Sequence, residues 1–336
     1  MVNGPLHRGW SPITLPASWI FGRAVAMRNA RLDRQVAWRA PRPVVSVGNI
    51  SAGGTGKSPM VRWICEQLGQ AGLRPAIAMR GYRGHAGSDE AAEHRESLPT
   101  VPVWIGADRR AAIESGLACD PEIGVIVLDD GFQHRRVARA FDLALVDASR
   151  PSLEGAMLPH GWLREPWSAL RRASAVVLTR SEDPDAALDS AVRSAHGRPP
   201  LARCGHAWSG VACHEGSAAV EARIERLRGA SVAVWAGVGH PQAVVADATR
   251  HGARVVDVPP LADHQRFDPS LVARLVVRAR AAGAAAVLCT PKDWVKLRFV
   301  PVPMPVLVPR VTLRFESGEA ELRSELLAAV RAWTGL

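Results

Sequence analysis

Lys57 and Ser58 close a glycine-rich stretch, GNISAGGTGKSP at residues 48–59, whose composition supplies the parts of a phosphate-binding loop. Gly53, Gly54, Thr55 and Gly56 can turn backbone N–H groups toward an anion. Lys57 can reach the β- and γ-phosphates of a nucleotide, and the Ser58 hydroxyl can complete the shell of a magnesium ion. Such a loop works only between a strand that delivers it and a helix whose positive N-terminal end faces the anion. The apolar run at 44–47 predicts that strand. Pro59 suits a first helical turn, and Val61, Ile64 and Leu68 repeat at helical spacing until Gly69 and Gly72 end the pattern. Ser51 stands where the common form GxxxxGK[ST] has its first glycine.

A second element of the same chemistry is the apolar run 125–128 leading into DDGFQHRR at 129–136. A buried strand ending in acidic residues is the usual companion of a phosphate loop, so Asp129 and Asp130 are candidate magnesium ligands, directly or through water. Gln133 and His134 are candidates for positioning Asp130 or the phosphates, and Arg80 to Gly84 follows a predicted strand end where its arginines can meet phosphate. Arg171 and Arg172, just before the run 175–178, are candidates for stabilising transferred charge. Read alone, Asp89 and Glu90 fit a solvated helix face as well as a site, and His264 fits an ordinary loop.

With 336 residues the chain has room for two compact domains. The apolar fraction of 47% and charged fraction of 22% are those of an ordered, soluble-type protein. A net charge of +10 points to acidic partners: nucleic acid, anionic lipid or phosphorylated small molecules. Nucleic acid has only this charge in its favour, because no recognised binding module is present. Only three lysines occur, Lys57, Lys292 and Lys296, so a lysine in the glycine-rich loop stands out against an arginine background. The five cysteines are odd in number and scattered without a C-x-x-C pair, which fits reduced, packed residues in the cytoplasm. No stretch resembles a secretory signal peptide or is long enough to span a bilayer. Near the N-terminus, Trp10, Ile13, Leu15, Trp19, Ile20 and Phe21 precede Arg23, Arg28, Arg31 and Arg34, a composition that suits an interfacial helix or a helix packed on the protein's own core.

Short apolar runs alternate with helical stretches at 44–47, 75–79, 101–105, 125–128, 143–146 and 175–178, as in a parallel sheet covered on both faces. The fold class is α/β: two α/β/α sandwich domains, the first of the phosphate-loop NTPase type, joined by extended connectors at 201–212 and 306–315. The expected limits are 1–200 for the first domain, whose segment at about 1–35 is the interfacial or core-packed helix, and 201–316 for a smaller second one. Its strands are expected at 232–235, 254–258, 285–289 and 305–308, and Leu322, Leu326, Val330 and Trp333 mark a final helix within 317–336.

Taken together, GNISAGGTGKSP, RGYRG at 80–84, SDE at 88–90, DDGFQH, LPHGWLREP at 158–166, GVGHP at 237–241, ADH at 262–264 and TPKDWVKL at 290–297 resemble, in order, the tetraacyldisaccharide 4'-kinase family. The resemblance covers nearly the whole chain. It implies transfer of phosphate from ATP, with Mg2+, to the 4'-hydroxyl of an acylated disaccharide 1-phosphate, giving the bis-phosphorylated lipid A precursor. It also implies a peripheral protein at the cytoplasmic face of the bacterial inner membrane, with the segment at about 1–35 as its membrane-associating part on anionic lipid, and no obligate protein partner. Carried over residue by residue, SDE makes Asp89 the base for the sugar hydroxyl and Glu90 a magnesium contact, while ADH makes His264 the partner of Asp89 in a dyad and Asp263 the residue that orients it. This chain departs from the family pattern at Pro291, where a glutamate is usual, and at Ser88 and Arg83, where glycines are usual. The carboxylates and the loop lysine are kept. Rival readings are a kinase or ligase acting on another small molecule, and a nucleotide-switched membrane adaptor, which would need no base aimed at a second substrate.

Overall fold

The computed structural model describes residues 11–81, 89–149, 155–216, 218–263 and 265–334. Of the residues singled out above, Trp10, Tyr82, Arg83, Gly84, Ser88 and His264 lie outside the described residues. The chain forms two compact units, one running to His206 and resuming at Leu313, the other comprising Ala207–Thr312.

In the first unit, α1 (Ser11–Asp33) precedes β1 (Val44–Asn49), α2 (Lys57–Gln70), β2 (Pro75–Met79), α3 (Asp89–Ser97), β3 (Val103–Ile105) and α4 (Arg109–Cys119). There follow β4 (Val125–Asp129), β5 (Phe141–Asp147), a 3-10 helix (Trp167–Arg172), β6 (Ala175–Thr179), α5 (Ala186–His196) and β7 (Ala202–Glu215). The strand order is β7-β6-β5-β1-β4-β2-β3, and these pairings are parallel. The strands read as continuous apolar runs because alternate residues are buried on opposite faces. Val45, Val47, Leu143, Leu145 and Val177 meet Met60, Val61, Ile64 and Leu68 of α2. Ala144, Val146, Val176 and Leu178 instead meet Leu170, Leu188 and Val192.

The second unit contains β8 (Ala218–Ala222), β9 (Ser231–Trp235), α6 (Pro241–Arg250), β10 (Arg254–Asp257), α7 (Pro269–Ala281), β11 (Ala286–Cys289), α8 (Pro291–Leu297) and the first part of β12 (Val306–Ser317). Its order is β10-β9-β11-β12-β7, parallel from β10 to β12, with β8 antiparallel to β7. Both β7 and β12 contribute residues to each unit, and they correspond to the expected connectors. β8 carried no strand signal, since its three alanines and Glu221 are poor strand formers, and pairing with β7 decides its state. The last helix, α9 (Glu319–Thr334), belongs to the first unit: Leu322, Leu326 and Val330 are buried in the same cluster as α2. Among the described residues, no helix is long and apolar enough to cross a membrane.

Candidate active site

Between β1 and α2 the chain turns through Ile50 to Gly56, and neighbouring segments fix this turn by its backbone. Ala52 N donates to Trp162 O at 2.6 Å, Arg164 N to Ile50 O at 2.7 Å, and Ser51 bridges Leu163 in antiparallel fashion. Ser51 therefore sits in extended pairing, where a side chain costs nothing and glycine is not required. Gly56, at the N-cap of α2, has φ +82°, and a Cβ there would lie 2.9 Å from His206 Nε2. Glycine answers both demands. Thr179 Oγ1 donates to Thr55 O at 2.9 Å, and Arg180 bonds both Gly54 O and Asp147, tying the loop to the ends of β5 and β6. Thr55 and Ser58 are buried at the start of the helix.

The acidic turn after β4 faces this loop. Asp130 takes a left-handed φ of 52°, which places its carboxylate between two cations: Lys57 Nζ lies 3.5 Å from Oδ1, and Arg164 Nη1 lies 3.1 Å from Oδ2. Asp129 is buried and accepts a hydrogen bond from His94 Nε2 at 2.9 Å. Burial works against its charge, but the hydrogen bond and charge of His94, with Lys57 behind them, outweigh it and hold the carboxyl below the usual carboxylate range. Its Oδ1 has no hydrogen-bond partner. From below, Arg139 donates to Gly131 O and, at 2.7 Å, to His134 O, while Arg172 donates to Phe132 O at 3.3 Å.

His94 is carried by α3, the helix that Asp89 and Glu90 open. A second buried contact, Arg62 Nη1 to Glu93 Oε1 at 3.0 Å, fastens α3 to α2. The two sequence candidates thus begin a helix docked on the acidic turn through His94. Among the described residues, no three His, Cys, Asp or Glu side chains form an all-protein metal cage. Magnesium does not need one, since it takes one or two carboxylates with phosphate oxygens and water. The buried, unpartnered Asp129 Oδ1 and the Ser58 hydroxyl at the helix start fit that demand.

Several expectations change. Arg171 is exposed on the 3-10 helix, and the arginines that bear on the site are Arg164, on Asp130, and Arg172, on Phe132 O. The physical reason is direction: Arg164 leaves the segment paired with the loop, whereas Arg171 projects from a helix into solvent. The imidazole of His134 is pushed down to about 4 by burial and by the charges of Arg109, Arg139 and Arg136, so it is neutral at pH 7. His134 instead closes the turn through its backbone, N to Gly131 O at 2.8 Å. Gln133 does reach the loop, donating to Asn49 O at 2.7 Å. Sequence reasoning gave no role to His94, Arg164, Glu165 or Arg180. Arg164 and Glu165 lay in plain view inside LPHGWLREP, but nothing in their spacing told which partners they would meet.

In the second unit three motifs gather at the ends of β9 and β11. Asp293 of TPKD is buried, and its Oδ2 accepts from Gly237 N at 3.1 Å and from Thr290 Oγ1 at 2.7 Å. Burial first, and the charge of Asp263 with it, push its carboxyl up. A Cβ on Gly237 would lie 3.0 Å from Ala262 O and 2.9 Å from Gln265 Cβ, so GVGHP needs glycine for close approach to the ADH loop. One on Gly239 would lie 3.7 Å from Asp263 Oδ2. Pro291 occupies the first turn of α8 behind the Thr290 cap, where a missing N–H is harmless.

The arrangement in the first unit can hold polyphosphate with a cation, and the motifs around it match a known family. The family model described as tetraacyldisaccharide-1-P 4'-kinase matches residues 10–331. The chain belongs to the tetraacyldisaccharide-1-phosphate 4'-kinase family. Members similar to it include a tetraacyldisaccharide 4'-kinase of Geobacter sulfurreducens, 35% identical over 88% of this chain and 88% of that one. Another, of Anaeromyxobacter dehalogenans, is 37% identical over 88% of this chain and 83% of its own length. Among solved structures, the "apo" form of LpxK from Aquifex aeolicus in complex with ATP superposes with a TM-score of 0.72 at 25% identity, covering 94% of this chain and 98% of that one.

Proposed function

We infer that this protein transfers the γ-phosphoryl group of ATP to the 4'-hydroxyl of a tetraacyldisaccharide 1-phosphate, giving the bis-phosphorylated lipid A precursor. The observation that carries the reading is the Lys57, Asp130 and Arg164 arrangement at the mouth of a glycine-rich loop, in a chain that matches this kinase family from residue 10 to 331. Loop amides from Gly53 to Ser58 and the N-terminus of α2 would cradle the phosphates. Lys57, held beside Asp130, would neutralise the γ-phosphate. Arg164, paired with Asp130 at 3.1 Å, would offset charge as the bond to the leaving oxygen breaks.

Ser58, Asp129 and Asp130 would hold magnesium, with Glu90 as a further contact. The ion would draw electron density from the phosphate oxygens. Asp89 is assigned as the base for the 4'-hydroxyl and His264, oriented by Asp263, as its partner, on the motifs that carry them. In-line transfer of this kind needs positioning and charge stabilisation more than covalent chemistry, so no phosphoenzyme is expected.

A lipid substrate requires access to a membrane surface. On α1, Ile13, Leu15, Trp19, Ile20 and Met27 are exposed, each by more than half. The inner side of the helix is anchored by Thr14 Oγ1 to His160 Nδ1 at 3.0 Å and by Ser18 Oγ to Met157 O at 2.8 Å. An apolar stripe beside Arg23 and Arg31 supports an interfacial helix on anionic lipid at the cytoplasmic face of the inner membrane. The test of the activity is transfer of labelled phosphate from ATP to the tetraacyldisaccharide 1-phosphate in detergent. Lys57→Met should lower turnover by about 100-fold or more, and folded wild-type protein giving no labelled lipid would overturn the reading.

A further inference from the structure

The helix that offers the apolar stripe also braces the acidic turn. Its last turns present Arg28, Asn29 and Asp33 to the segments that carry the site. Glu165 is the joint: its fully buried carboxylate accepts from Arg28 Nη2 at 2.6 Å and Asn29 Nδ2 at 3.1 Å on Oε1. On Oε2 it accepts from Arg172 and, at 3.4 Å, from Gln133 Nε2. Gln133 in turn holds the carbonyl of Asn49, the last residue of β1 before the loop. Arg135, one residue after the DDGFQH run, donates to Asn29 O at 3.4 Å and pairs with Asp33. The residue before Glu165 is Arg164, which grips Asp130 opposite Lys57.

A buried carboxylate is stable only while its partners stay, so Glu165 ties the direction of α1 to the loop and to the acidic turn. We propose that Glu165 and Arg28 are positioning residues through which α1 sets the alignment of Asp130 and Lys57, so that seating α1 on a lipid surface is coupled to phosphoryl transfer. The proposal rests on reading α1 as interfacial and the loop as the ATP site. Arg28 is therefore a structural partner of Glu165 rather than a headgroup contact.

The experiment separates these roles. Full-length Arg28→Met, Arg28→Lys and Glu165→Gln are compared with wild type by co-sedimentation with phosphatidylglycerol-containing vesicles, and by kcat and KM for ATP with the disaccharide substrate in those vesicles. A thermal melt checks that each variant is folded. The expected result is vesicle binding within twofold of wild type for Arg28→Met, a kcat about 10- to 100-fold lower, and recovery of most of that loss in Arg28→Lys. Glu165→Gln should lower kcat in the same direction. Wild-type kcat in Arg28→Met and in folded Glu165→Gln overturns the proposal, as does a fall in kcat that merely parallels lost vesicle binding. Failure of the wild type itself to sediment overturns the interfacial reading and the proposal with it. Failure of the wild type to phosphorylate the lipid overturns the kinase reading instead.

Discussion

Asp129 and Asp130 are adjacent, carry the same group, and live in opposite surroundings. Asp130 is half-buried between Lys57 and Arg164, while Asp129 is buried on His94. The division follows from the positive φ of Asp130, which swings its side chain out of the alternation that β4 imposes on Asp129. Because the Asp129 carboxyl is held below its ordinary value, its ionised form adds stability above that value, and the contribution is lost as pH falls through the lowered one. In His94→Ala the buried carboxylate loses that hydrogen bond and that charge, which leaves Lys57 and the Asp130 N–H to oppose burial, so its pKa rises and its ionised form adds less stability. Urea unfolding from about pH 4 to pH 8 should show a weaker gain of stability with rising pH in the variant than in wild type, with a loss of about 3–5 kcal/mol at neutral pH; a parallel pH profile in the variant would count against the pairing.

Among elements, α1 combines an exposed apolar surface with a buried anchor at its last turns. Its outer surface exposes Ile13, Trp19, Ile20 and Met27, and Arg23 lies over the Trp19 ring at 5.3 Å. Helical spacing alone suits a core helix equally well, which is why the sequence left both readings open. The double variant Trp19→Glu with Ile20→Glu should weaken binding to anionic vesicles by about tenfold or more. Raising salt should weaken the wild type's binding too, as arginine attraction is screened. Unchanged sedimentation of the double variant would show that the stripe does not meet lipid. The 3-10 helix gives the complementary lesson, since its Arg171 and Arg172 are neighbours in sequence yet only Arg172 turns inward to Phe132 O and Glu165.

At the scale of the molecule, the chain leaves its first unit after His206 and returns at Leu313. The returning α9 buries Leu322, Leu326 and Val330 in the cluster that also holds Met60, Ile64 and Leu68 of the loop-bearing helix. Trp63 Nε1 of α2 adds a hydrogen bond to Glu319 Oε1 at 3.0 Å. Helix α9 is therefore part of the loop-bearing unit rather than an appended helix. Leu326→Ala should cost about 2–5 kcal/mol, and a chain ending at residue 312 should lose ATP binding as measured by calorimetry. Retained binding in that truncated chain would contradict this packing.

The sequence by itself determined the local elements and the chemistry of their ends. Continuous apolar runs, the glycines with Lys57 and Ser58, and the acidic pair after 128 state strand, loop, helix and phosphate site because these depend on residues near in sequence. Only the tertiary structure decided which polar groups meet. His94 on Asp129, Arg164 on Asp130 and Glu165 on Arg28 join residues 35, 34 and 137 positions apart. No periodicity encodes such pairs, since their geometry is set by how packed strands and helices bring distant loops to one end of a sheet. The same packing explains Ser51: a missing glycine in the written motif becomes an ordinary extended residue once Leu163 lies beside it.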